Sequence, residues 1–172
     1  MSAVQFSELP NDARLWVFAA ARPLTPQQRE MLLARVDEFL EGWLAHGRRV
    51  VGGRELRHDR FLLVAADERA TGVSGCSIDT LFRRLQELER ELGVSLLDSS
   101  LVYYRAEDGA IQALPRADFR QRVRAEEVGE ETVVFDNTVR SVEEVREGRW
   151  ELPMRDSWHA QAFSQRARSG QG

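Results

Sequence analysis

The stretch RFLLVAADERATGVSGCSIDTLFRRLQELERELG, residues 60–93, joins a strand pattern to a helix pattern across a polar loop. It opens on an apolar, β-rich run at 60–66 and closes on a helix expected over roughly 77–92. Ile78, Leu81, Leu85, Leu88 and Leu92 recur at helical spacing as an apolar stripe, and Gly93 supplies the stop. Between strand and helix lie a polar loop and the only cysteine of the chain, Cys76.

The residues on either side extend the pattern. RLWVFAAA (14–21) fits a buried strand, and RPLTPQQREMLLARVDEFLEGWLAHG (22–47) predicts a long helix. Thr25 is its N-cap, Pro26 its first residue, and Gln28 holds the capping-box position. Leu32, Val36, Phe39 and Trp43 follow at spacings of 4, 3 and 4, widened by Leu33, Leu40 and Leu44. Gly47 is expected to end this helix, with His46 in its last turn. RRVV (48–51) reads as a strand running into a Gly52-Gly53 turn, and His58 as a turn residue before the strand at 60–66. SLLDSSLVYYRAEDGAIQAL (95–114) predicts a strand, a turn at Asp108-Gly109 and a returning strand.

Strand, helix, strand, strand, helix, strand is the split βαβ, ferredoxin-like order. The expected class is therefore α+β, with both long helices on one face of an antiparallel sheet, over residues 1–114. From Pro115 the texture changes. PRADFRQRV predicts a short helix, ETVVFD a strand, SVEEVREG a helix capped by Ser141 with Glu144, and RWELP a last strand. Residues 115–163 are expected as a small C-terminal α/β appendage docked on the main domain, and 164–172 as a disordered tail.

Composition excludes several chemistries. All 24 basic residues are arginine. Without lysine there is no Walker A loop and no Schiff-base amine. No apolar stretch approaches the ~18 residues of a membrane span, and the polar start MSAVQFSELPND predicts no secretory signal. One cysteine makes no internal disulfide, so a reducing cytoplasm is the expected setting. The net charge of −4 argues against nucleic acid as a partner. The basic PRADFRQRVR (115–124) is followed at once by acidic AEEVGEE and reads as a solvated helix face. An RNA-binding sheet would need solvent-facing aromatics, but Tyr103 and Tyr104 are adjacent and only one can face the open side.

The candidate site is the junction of strand 60–66 with the following helix. Asp67 and Glu68 end the strand, and Ser74, Cys76 and Ser77 open the helix, a concave spot suited to an anion or small ligand. Cys76 is the candidate nucleophile, because a helix N-terminus favours the thiolate. Asp79 nearby works against it, Phe82 stands where a cysteine-phosphatase loop needs arginine, and there is no C-x-x-C pair. The alternative is a small residue buried or half-buried at the helix start. His46, His58 and His159 show no zinc-like spacing, so no metal is assigned, and no cofactor loop is present. Ser157 is a credible N-cap, and Trp158 an anchor for the C-terminal segment.

With RFLLVAADERATGVSGCSIDTLFRRLQELERELGVSLLD, VVFDNTV and WELPMRDSWH in view, the chain resembles an uncharacterised family of bacterial cytoplasmic proteins. The Ser-Gly-Cys-Ser-Ile-Asp core at 74–79 is the most specific part of a resemblance spanning most of 14–163. It implies no catalytic residue. The label of ABC transporter ATPase that some members carry finds no nucleotide loop here. Separately, residues 107–137 are similar in rhythm to GYF-like peptide-binding domains, without the Gly-Tyr-Phe signature. Two functions are expected in consequence: a non-enzymatic binding or adaptor module for a protein partner or small ligand, or a thiol-dependent enzyme or redox sensor using Cys76.

Overall fold

The computed structural model describes residues 3–69 and 71–163 and is of mixed helix and strand, α+β in class. Its elements begin with β1 (Arg14–Ala19), α1 (Pro26–Glu41), β2 (Leu44–Ala45), β3 (Arg48–Arg49), β4 (Val51–Arg57), β5 (Phe61–Asp67) and α2 (Gly75–Leu92). There follow β6 (Leu101–Arg105), β7 (Ile111–Pro115), α3 (Arg116–Arg124), β8 (Val133–Phe135), α4 (Val142–Arg146), β9 (Glu151–Pro153) and α5 (Trp158–Phe163). The chain divides into two compact units, Met1–Asp98 with Thr138–Arg146, and Ser99–Asn137 with Glu147–Gly172.

In the first unit a three-stranded sheet runs in the order β1-β5-β4, with both pairings antiparallel. Leu62, Val64 and Ala66 of β5 share one core with Leu32, Val36 and Leu40 of α1 and Leu81, Leu85 and Leu88 of α2. Both long helices therefore cover one face of this sheet. The ferredoxin-like topology is corrected, because β6 joins a different sheet. The outer edge of β1 is taken instead by the segment around Ser141. Leu15 N–H donates to the Arg140 carbonyl at 2.8 Å, and Val142 N–H to the Ala13 carbonyl at 3.1 Å.

Local chemistry explains the element ends. Thr25 Oγ1 accepts from Gln28 N–H at 3.1 Å and Gln28 Oε1 from Thr25 N–H at 2.9 Å, the capping box expected of that pair. The helix stops at Glu41, not at Gly47. His46 and Gly47 both take positive φ, 53° and 75°, and form the turn of the β2–β3 hairpin. A two-residue hairpin turn demands that conformation, which His-Gly tolerates. Leu44 is consequently 52% exposed rather than part of the helix stripe. His58 and Asp59, at φ 54° and 58°, make the corresponding turn between β4 and β5.

Gly52 and Gly53 are not a turn. They lie inside β4, where a Cβ on Gly52 would stand 3.1 Å from Leu40 Cδ2, and one on Gly53 only 2.8 Å from the Val4 carbonyl oxygen. Glycine permits the close approach of a side chain on one face and of the backbone on the other. On the Gly53 side the chain start packs against the sheet, with Val4 N–H donating to the Gly52 carbonyl at 3.0 Å. A short turn at Phe6–Glu8 then carries the chain off the strand.

The second unit is a four-stranded antiparallel sheet in the order β7-β6-β8-β9. Val102, Tyr104 and Val134 on one face pack with Phe119 of α3 and Phe163 of α5. The boundary expected between residues 114 and 115 is corrected: β6 pairs with β7 on one side and β8 on the other, so the sheet spans it. Tyr103 and Tyr104 are both buried, so neither ring offers a solvent-facing platform. The expected tail, 164–172, lies outside the described residues.

Candidate functional site

The residues expected at the β5–α2 junction are placed by two separate sets of bonds. Asp67 is gripped by Arg69, with Nη2 at 2.7 Å from Oδ2, Nε at 3.0 Å from Oδ1, and the Arg69 N–H at 3.0 Å from the same oxygen. The hydrogen bonds from the Arg69 side chain hold this carboxyl below the usual carboxylate range. Glu68 lies 4.0 Å from Arg14. Ser74 caps α2, its Oγ accepting from Ser77 N–H at 3.1 Å, while Ser77 Oγ donates to the Ser74 carbonyl at 2.7 Å. Among the described residues, no hydrogen bond or ion pair joins Asp67 or Glu68 to Ser74, Cys76 or Ser77. The carboxylates are spent on arginines and the serines on the cap.

Cys76 is exposed, which overturns the buried or half-buried reading. The small residue buried at the start of α2 is Ser77, 3% exposed, whose carbonyl accepts the Trp43 indole N–H at 2.9 Å. Helical rotation turns Cys76 away from the stripe of Leu81, Leu85 and Leu88.

The sequence gives no sign of a groove of about 490 Å³ in the first unit. It is walled by Gln5–Ser7 of the chain start, Arg29 and Leu33 of α1, Arg54–Leu56 of β4, and Asp59 of the following turn. The volume falls within the ~300–1,000 Å³ of ordinary ligand pockets. Arg54 makes a two-toothed ion pair with Asp37, Nε–Oδ1 and Nη2–Oδ2 both 2.8 Å, which raises the guanidinium pKa further above its ordinary value. Arg29 pairs with Asp59 at 2.5 Å, and Arg57 Nη2 with Glu55 at 2.9 Å. Every charged side chain lining the groove thus already has an opposite charge beside it. The geometry suits a neutral occupant better than a free anion.

A third place bearing chemistry lies in the second unit. Ser157 Oγ and His159 Nδ1 are 2.6 Å apart, and the imidazole is 2% exposed. Burial pushes the His159 pKa down to about 4, against the nearby Asp136 and with the nearby Arg116. The ring stacks on Trp158 at 3.9 Å between centroids and meets Phe119 edge-on at 6.3 Å. With the hydroxyl and the imidazole both buried among aromatic rings, the pair works as packing, the serine satisfying a buried ring nitrogen. Spacing alone points to the Ser157 cap and the Trp158 anchor, not to this pair.

Among the described residues no cluster of three or more His, Cys, Asp or Glu is placed to hold a metal ion, and no helix is long and apolar enough to cross a membrane. Comparison of the chain with protein-family models, with curated proteins and with solved structures finds no match.

Proposed function

We propose that this chain is a binding module for a protein partner or small ligand, and that its site is the groove beside β4. The observation that carries the reading is the groove itself: a pocket of ligand size whose ionisable walls are internally paired. A catalytic pocket would hold an acid, base or nucleophile poised for transfer. Here the carboxylates are committed to arginines. A ligand at the β5–α2 junction would first have to break the Asp67–Arg69 pair and the Ser74–Ser77 cap, so that location is second to the groove. The same reading sets the module in a reducing cytoplasm, in a bacterial family sharing the Ser-Gly-Cys-Ser-Ile-Asp core.

The test is a small-molecule fragment screen by amide NMR on the whole chain. Shifts should gather at Ser7, Arg29, Leu33 and Leu56, and Leu33→Arg should remove them by filling the groove. Shifts gathered at Ser157–Phe163 instead would contradict the reading.

One observation favours a second reading, a thiol-dependent enzyme or sensor: Cys76 is exposed in the first turn of an 18-residue helix. Alkylation rates from pH 5 to 9 decide it. A midpoint well below the ordinary thiol value of about 8.5 supports thiolate chemistry, and a midpoint at that value returns the case to the groove.

A further inference from the structure

We infer that the occupant of the groove is an extended, uncharged peptide segment that adds as a strand to the free edge of β4. This rests on the groove being the binding site and names what it binds.

Val4 N–H donates to the Gly52 carbonyl, so that carbonyl faces away from β5. In an antiparallel pair the main-chain groups of alternate residues face the same side. Gly53, Glu55 and Arg57 therefore bond to their partners Ala65, Leu63 and Phe61 on β5, while Arg54 and Leu56 turn their N–H and C=O outward. Among the described residues, nothing accepts from or donates to those outward groups. The chain start, which pairs in parallel at Ala3 and Gly52, could have continued beside them but coils away at Phe6–Glu8. The groove lies over the two residues left bare.

The walls restrict what fits. An inorganic anion would have to displace Asp37 from Arg54 or Asp59 from Arg29. A peptide main chain brings no net charge and offers the alternating donors and acceptors that the edge lacks. The side chains of Arg54 and Leu56 project on the α1 face of the sheet, the same face as Gly52. An incoming apolar side chain on that face meets Leu33 and Leu56, both partly buried against the core. The charges of Arg54, Glu55 and Arg57, with only two bare residues between the chain start and the turn, discourage indiscriminate pairing between edges.

The experiment is a selection of eight-residue peptides from a displayed random library against the full chain. Each selected peptide is then resynthesised with one main-chain nitrogen methylated at a time. Strand addition predicts that methylation at alternate positions weakens binding about tenfold or more, with under about threefold loss at the positions between. A flat methylation profile, with binding still abolished by Leu33→Arg, overturns strand addition and leaves the groove reading standing. Binding untouched by Leu33→Arg removes the groove reading itself. An absence of selected peptides overturns the inference. So does a concentration-dependent dimer that Leu56→Pro dissolves, which would make the occupant a second copy of the chain. Leu56→Pro is suited to that last arm because the N–H it deletes faces away from β5.

Discussion

The indole N–H of Trp43 donates to the main-chain carbonyl of Ser77 at 2.9 Å, tying the residue beyond α1 to the first turn of α2. Trp43 is 2% exposed and lies edge-on to Trp16 at 5.9 Å. Trp43→Phe keeps most of the packing and loses the donor, for an expected loss of about 1–2 kcal/mol. Trp43→Ala empties the site and should lose about 3–5 kcal/mol. Urea unfolding of both variants checks the order. An alanine loss under about 0.5 kcal/mol, the range of surface substitutions, would mean that the helix pair is held elsewhere.

Two glycines should respond with opposite signs. Gly53→Ala forces a Cβ to 2.8 Å from the Val4 carbonyl, so the chain start must move, at an expected cost of about 1–3 kcal/mol. Gly75→Ala meets open space in the first turn of α2 and should stabilise by about 0.4–1 kcal/mol. Thermal melts of the two variants test this. Equal shifts would show that close approach is not what β4 demands of its glycines.

The exposure of Cys76 changes what substitution there should do. Cys76→Ser and Cys76→Leu should both leave stability within about 0.5 kcal/mol, as at other surface positions. The folded chain should accept a maleimide at Cys76 stoichiometrically without losing its melt. Protection of the thiol until unfolding would contradict the placement.

Acid should weaken the second unit through His159. The folded pKa, about 4, lies below the ordinary 6.5, so the unfolded chain takes up the proton first. The stabilisation is fully present above about pH 6.5 and is lost as pH falls toward 4, on the order of 3 kcal/mol in all. His159→Gln removes the titration. The stability gap between wild type and variant should therefore narrow from pH 7 to pH 4.5 in urea unfolding, whereas a constant gap would contradict a buried neutral imidazole.

Elements with strong local chemistry were legible in the residues. The Thr25–Gln28 box, the leucine stripe of α2 with its Gly93 stop and the Asp108-Gly109 turn all stand where spacing puts them. The misreadings fall where tertiary context gives glycine another use. Gly47 serves a hairpin rather than a helix end, and Gly52-Gly53 permits close packing rather than a turn. β6 joins a second sheet, and the β1 edge it was expected to fill is taken by Ser141 and its neighbours, far along the chain. The groove was illegible for the same reason, since its walls come from the chain start, α1 and β4. Polar residues at 67–77 looked like a site because capping and ion pairing use the same residue types as binding.

Amide hydrogen exchange on the whole chain, resolved by residue, reads the edge of β4 itself. With the edge of β4 bare, the amides of Arg54 and Leu56 should exchange quickly, while those of Gly53, Glu55 and Arg57 are slowed by their bonds to β5. A selected peptide should slow Arg54 and Leu56 and leave the other three unchanged. Protection of Arg54 and Leu56 in the peptide-free chain, or a peptide that leaves both fast, would contradict the account.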